Sequence, residues 1–296
     1  MIIINAVFSN SYDNFRCRVG EPQLKRRVIR TVRKRVHFIL FFVFLSSTIA
    51  LPTRAATFFG EIQTGLIELE DFRYPVFIYV PENIKPGSRY PMIISIPDEG
   101  ETPDEHIKKW TAIAKHMTVI VLTPTYKRLD DLPNAFDRWF FVLKHLMSNV
   151  YPVHPKKIYL VGEQSGAEYA SYLGVNYPEE FSAVALLEGP LGGKFEKLLS
   201  YQTRPIKQIP FLVALKEGKA DVVETTEKNA YELEKRGYFV EVRKFPEAED
   251  FTKRDFKENL IKRLEEKNQD WQAVVDQSRK NFSEKMKRRF EEFFTV

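Results

Sequence analysis

Between Ile158 and Val184 the chain reads IYLVGEQSGAEYASYLGVNYPEEFSAV. An apolar strand runs into a turn with glycines at 162 and 166, then into a helix rich in small residues. In a Gly-x-Ser-x-Gly turn of this kind, the backbone lifts a serine hydroxyl above a sheet for attack on a carbonyl. Aligned on Gly162 and Gly166, the central position holds Gln164. A neutral amide cannot be deprotonated into an activated nucleophile. Ser165 falls one place late, and on a sharp turn one residue changes the direction of the side chain. Its ordinary role there is to bond helix-end backbone; acting as a displaced nucleophile is the alternative.

Such a turn needs a strand behind it and a helix ahead. The chain supplies both repeatedly. GLIEL, YPVFIYVPE, MIISIP, TVIVLTP, KKIYLVG, FSAVALLEG, IPFLVALKEG and YFVEVRKFP read as strands, several of them continuous apolar runs suited to burial on both faces. Between them lie amphipathic stretches, among them Ile107, Trp110, Ile113 and Ala114 at helical spacing with Asp104 as a candidate cap. Alternating strands and helices predict an α/β fold with a mostly parallel sheet and helices on both faces. Beyond Phe251 the sequence becomes heavily charged, with Leu260, Leu264, Trp271, Val274 and Val275 marking one or two amphipathic helices. Their apolar stripe is expected to pack on the core; a partner-binding helix is the alternative.

The 296 residues are 44% hydrophobic and 29% charged, which fits a folded globular chain. The net charge of +5 is unevenly placed. Residues 1–56 carry ten Lys/Arg against two Asp/Glu; the remaining 240 carry 35 against 38. The body therefore has no basic excess to suit nucleic acid, and no nucleic-acid partner is expected. The basic run KRRVIRTVRKRVH, the apolar run FILFFVFLSSTIA and then Pro52 and TRAA follow the order of a secretory signal peptide, with cleavage expected after Ala55. The apolar run is short for a membrane span, so no stable span is expected after cleavage, an uncleaved anchor being the alternative. The expected organisation is a non-native or disordered leader over 1–24, a signal peptide over 25–56, an α/β domain over 57–265 and a charged helical extension over 266–296. The expected location is periplasmic or secreted.

Cys17 is the single cysteine, and the five histidines (37, 106, 116, 145 and 154) show no metal-ligand spacing. No metal and no cofactor are expected. His106 reads as a surface or helix residue.

The phrase from Tyr151 to Gly189 resembles the α/β-hydrolase superfamily, in particular its secreted esterase branch of polyhydroxybutyrate depolymerases, feruloyl esterases and predicted peptidases. Pro155, Ile158, Tyr159, Gly162, Gly166, Tyr177, Pro178, Phe181 and Gly189 carry the resemblance, which spans about residues 65–265. It implies an α/β-hydrolase fold with a C-terminal helical extension. It places the triad acid at Asp221, in EGKADVVET, although a helix cap would use Asp equally well. It places the histidine at Asp250, or Glu249 if shifted, in KFPEAEDF. No histidine follows His154, so the order Ser, acid, His cannot be built behind the elbow. A carboxylate with an ordinary pKa is a poor base for a hydroxyl, and no general acid is left for the leaving group. The oxyanion loop reads IPDEGETPDEH, where Pro97 has no N–H, Asp98, Glu99 and Glu101 oppose negative charge, and Gly100 alone remains.

The expectation is a secreted, catalytically inactive esterase-like protein, a pseudoenzyme acting in binding or as an accessory. Its ligand would be a small molecule, an ester or a polysaccharide or other polymer, with a protein partner through the C-terminal helices also open. An active ester hydrolase or peptidase using Ser165 is the alternative. Gln164, Asp221, Asp250 and Glu99 are expected at the carboxyl end of the sheet, where ligands bind in this architecture. They would form either a carboxylate-rich site for a cationic or polyhydroxyl ligand, or a former site closed by lysine or arginine.

Overall fold

Eight strands form one sheet, and their order explains where the elbow lies. The computed structural model describes residues 62–70, 72, 74–126, 134–199 and 208–294. The segments read as leader and signal peptide, residues 1–56, lie outside the described residues. Among the described residues no helix is long and apolar enough to cross a membrane.

The strands are β1 (Gly65–Glu68), β2 (Val76–Val80), β3 (Tyr90–Ile96), β4 (Ile120–Pro124), β5 (Val153–Glu163), β6 (Ala183–Leu187), β7 (Phe211–Lys216) and β8 (Val240–Phe245). They lie in the order β1-β2-β4-β3-β5-β6-β7-β8. β1 and β2 are antiparallel to their neighbours, and every pairing from β4 to β8 is parallel. β5 sits centrally, with Ile94 opposite Leu160 on one side and Gly162 opposite Leu186 on the other. Its carboxyl end is therefore flanked by strand ends, the place where open α/β sheets bind ligands.

Five helices cover the faces: α1 (Pro103–Met117), α2 (Asn134–Val150), α3 (Ser165–Asn176), α4 (Ala220–Glu234) and α5 (Arg254–Phe294). Because side chains alternate along a strand, each parallel strand feeds two cores. Ile94, Leu160 and Leu186 meet Phe140, Tyr169 and Leu233 from α2, α3 and α4. Ile93, Val161 and Ala185 meet Trp110 and Ile113 from α1 and Leu260, Ile261 and Leu264 from α5. α1 is capped by Thr102, not Asp104. Thr102 and Glu105 exchange reciprocal capping-box bonds, while Asp104 pairs with Lys108 at 2.7 Å.

The C-terminal end departs from expectation. α5 is one continuous 41-residue helix that crosses the expected boundary at 265/266. Leu260, Ile261, Leu264 and Asn268 are buried on the domain, whereas residues 276–287 are all exposed. Trp271 and Val275 are half-buried, so the packing stripe reaches about that far, and among the described residues Phe282 and Met286 beyond it are exposed.

Candidate active site

The elbow is built by β5 and α3. Gln164 sits between them with φ 52° and ψ −114°, a conformation that L-residues rarely adopt. Neighbouring backbone holds it there. The Gln164 N–H donates to the Leu187 carbonyl at 2.7 Å, and its own carbonyl accepts from the Ala167 N–H at 3.0 Å. Close packing reinforces the turn: a Cβ on Gly162 would run into the Gly166 carbonyl, and one on Gly189 would run into the Gln164 carbonyl. The nucleophile position is thus shaped as an elbow and exposed at the top of the sheet, with a glutamine in it.

Ser165 turns toward the loop after β3. Its hydroxyl donates to Asp98 Oδ1 at 2.6 Å and accepts from the Glu99 N–H at 2.7 Å. Its backbone N–H donates to the same Asp98 oxygen at 3.1 Å. In an elbow, the N–H after the nucleophile and an N–H from the loop after β3 are the donors for an oxyanion. Here the first is taken by a carboxylate of the chain itself and the loop N–H of Glu99 by a hydroxyl. The loop donor that faces the elbow is Glu99, not the Gly100 that composition suggested.

The other two residues of the sequence reading are accounted for separately. Asp221 is exposed in the first turn of α4. Asp250 accepts from the Thr252 N–H at 2.9 Å and the Thr252 hydroxyl at 2.6 Å, closing the turn into α5. These hydrogen bonds lower its pKa. Among the described residues, no hydrogen bond or ion pair joins either one to Gln164. Charges near the rim are paired. Glu188, at φ 58° just past β6, meets Lys216 at 3.0 Å and Lys219 at 3.9 Å, and Lys194 lies 3.7 Å from Glu99. Of the four residues expected at this end of the sheet, Glu99 stands beside a lysine, while Asp221 is exposed and Asp250 is held by Thr252.

A second polar group lies beneath the elbow, and the sequence reading missed it. Ser95 of β3 and His106 of α1 are fully buried, with Ser95 Oγ 2.7 Å from His106 Nε2. Glu101 lies 2.9 Å from His106 Nδ1, and Lys109 lies 2.5 Å from Glu101. On the Nε2 side is Glu163, 3.9 Å from the ring and 3.4 Å from Lys257 of α5, whose ammonium stands 4.0 Å over the Trp110 ring. His106 is thus no surface residue. Burial pushes Glu101 upward, but hydrogen bonds from His106 and Lys109 hold its carboxyl at about 2. Burial pushes Lys257 down against the pull of Glu163.

Ser95, His106 and Glu101 reproduce the connectivity of a catalytic triad. Ser95 nevertheless sits inside the sheet and is fully buried, so a substrate carbonyl has no approach. Glu101, His106 and Glu163 also offer ligand atoms within 4.8 Å of one another. The two carboxylates address opposite ring nitrogens, and each already holds a lysine, so the group fits an internal ion network rather than a metal ligand set. A cleft of about 500 Å³ lies elsewhere, where β7 and β8 meet α5, lined in part by Glu241, Arg243, Phe245, Phe256 and Arg263.

No family model and no curated protein matches the chain. Solved structures do. A ferulic acid esterase matches at 11% identity over 68% of this chain and 98% of its own, with a TM-score of 0.54. The S-formylglutathione hydrolase of Staphylococcus aureus matches at 8% identity over 70% of this chain and 99% of its own, with a TM-score of 0.52. The chain spans about half the length of a thermostable esterase, covering 54% of it at 18% identity and a TM-score of 0.47.

Proposed function

We propose that this chain, which has the α/β-hydrolase fold of esterases, is a non-hydrolytic member of that architecture, exported and acting as a binding or accessory protein. The observation that carries the reading is the elbow itself: Gln164 holds the nucleophile position while Asp98 accepts the Ser165 N–H. An acyl-transfer enzyme needs a nucleophile, a base and free donors for the developing oxyanion. Gln164 supplies no nucleophile, no histidine follows the elbow, and the two backbone donors are already bonded.

Hydrolysis through Ser165 is the second reading. It is favoured by the 2.6 Å hydrogen bond from Ser165 Oγ to Asp98. Against it, the same carboxylate occupies the adjoining N–H, so base and oxyanion would compete for one position. The test is turnover of p-nitrophenyl acetate and butyrate by the purified protein, beside Ser165→Ala, with labelling by a fluorophosphonate. Silence in both assays is expected. Turnover that Ser165→Ala abolishes would establish the hydrolase reading instead.

A further inference from the structure

α5 meets β8 at two points and leaves a gap between them. At one end the Phe245 and Phe256 rings pack edge-on, with centroids 5.6 Å apart. At the other, Arg263 Nη2 donates to Glu241 Oε2 at 2.8 Å. The strand register sets Leu212 opposite Glu241 and Ala214 opposite Arg243. Paired residues share a face of the sheet, so β7 supplies the floor of the gap. Arg243, midway along β8, does not bridge to the helix. It bonds Glu241 of its own strand at 2.6 Å and is largely exposed. The gap is the cleft of about 500 Å³. Its lining on α5 runs from Asp255 to Glu266, about 16 Å of helix at 1.5 Å per residue. That size, with an apolar floor and a few polar groups at the rim, is what a small-ligand site requires.

The two ends of the cleft differ in charge. At the Glu241 end the carboxylates are engaged: Glu241 by Arg243, Arg263 and Lys267, and Glu266 by Arg263. At the Phe245 end stand Glu249, in the turn after β8, and Asp255, in the first turn of α5. Among the described residues neither carboxylate has an ion pair or a side-chain hydrogen bond. The cations nearby serve other groups. Lys216 pairs with Glu188, and Lys244 with Glu227 on the opposite face of the sheet. The charges of Lys253 and Arg254 act on Asp250 and Glu258. An apolar trough thus ends in two unpaired carboxylates beside aromatic rings, and both features favour a positive charge.

We infer that the cleft between β8 and α5 is a binding site for a small organic cation, an ammonium group carried on an apolar, aromatic body. The body lies on Leu212, Ala214 and Leu260, and the ammonium reaches Glu249 and Asp255 beside the Phe245–Phe256 pair. The Glu241–Arg263 contact closes the far end, which suits a short ligand and not a chain running through. The site lies three strands from β5, so it stands whether or not the elbow hydrolyses esters.

Calorimetric titration of the full-length chain with 1-naphthylmethylamine tests the assignment, with a Kd of about 1 mM or tighter expected for a ligand of this size. 1-Naphthylmethanol and 1-naphthoate keep the rings and lack the positive charge. Each should bind roughly tenfold more weakly, as loss of one charge-assisted contact predicts. Glu249→Gln combined with Asp255→Asn should bring the amine down to the level of the alcohol and leave the alcohol unchanged. Asn259→Trp, at an exposed position that lines the cleft, should remove binding of all three while circular dichroism and Tm stay those of wild type. No detectable binding of the amine, an alcohol that binds as tightly, or amine binding that survives Asn259→Trp or ignores the Glu249/Asp255 variant would each overturn the inference.

Discussion

The Ser165 backbone N–H and the Ser165 hydroxyl both donate to one oxygen of Asp98, at 3.1 and 2.6 Å. An aspartate carboxylate therefore stands where an elbow would stabilise an oxyanion, and it satisfies the start of α3 in the process. Restoring the nucleophile alone should not restore chemistry. Gln164→Ser is expected to remain silent toward p-nitrophenyl butyrate, since base and free donors are still missing; measurable turnover by that single variant would contradict this account of the site.

The same contact has a structural role that can be measured. Asp98→Ala removes both acceptor bonds at the α3 N-terminus, and losing such a helix-end acceptor costs about 1 kcal/mol. For a domain of this size that lowers Tm by roughly 2–4 °C. A thermal melt of Asp98→Ala beside wild type reads the effect, and an unchanged Tm would show that solvent replaces the carboxylate without loss.

Gln164 holds a backbone conformation that favours glycine. Among the described residues its side chain makes no hydrogen bond that a substitution would forfeit. Gln164→Gly should therefore stabilise the fold by about 1 kcal/mol, through relief of strain of that order. Urea denaturation should show a higher midpoint at an unchanged slope.

Lys257 and Glu163 form a pair in which the lysine is fully buried. Removing one member of a buried pair leaves the other charge uncompensated, at a cost of roughly 3 kcal/mol. Lys257→Met should lose that much stability. Glu163→Gln added to it should recover a large part, so that the double variant falls well short of the sum of the singles. Strict additivity in urea unfolding would mean the two groups do not interact.

Glu101 titrates in the folded protein at about 2, below its ordinary 4.5. A depressed carboxyl contributes stability that is complete above its unfolded pKa and is lost as pH falls toward the folded value. Stability should decline between pH 4.5 and about 2, and Glu101→Gln should flatten that part of the profile. Circular dichroism melts across this range are the check.

Much of the architecture is written locally. β2, β3, β4, β6 and β7 are short, mostly apolar runs, and the apolar end of β5 with its glycine turn announces the elbow at Gln164. The missing histidine needs no structure at all. The ion network beneath the elbow is different in kind. Ser95, Glu101, His106, Glu163 and Lys257 come from β3, the loop after it, α1, β5 and α5, so no local spacing joins them. One signal was available: Lys257 shares helical spacing with Leu260, Ile261 and Leu264, and Ser95 interrupts the apolar run of β3. Polar residues at core-facing positions require buried partners. The pairing of Glu188 with Lys216 and Lys219 was equally out of reach, because strand ends become neighbours only through the order of the sheet. The open face of α5 was hidden by its own continuity, since the stripe that packs and the stripe that projects have the same spacing.

The glycines around the elbow separate shape from chemistry. The turn at 164 is fixed by close backbone approaches at Gly162 and Gly189 and by hydrogen bonds to Leu187 and Ala167, none of which involves the side chain it presents. Position 164 is therefore a socket, and the residue plugged into it is exchangeable without disturbing what surrounds it. A lineage carrying such a socket can change the residue presented there while its fold is kept under an independent constraint.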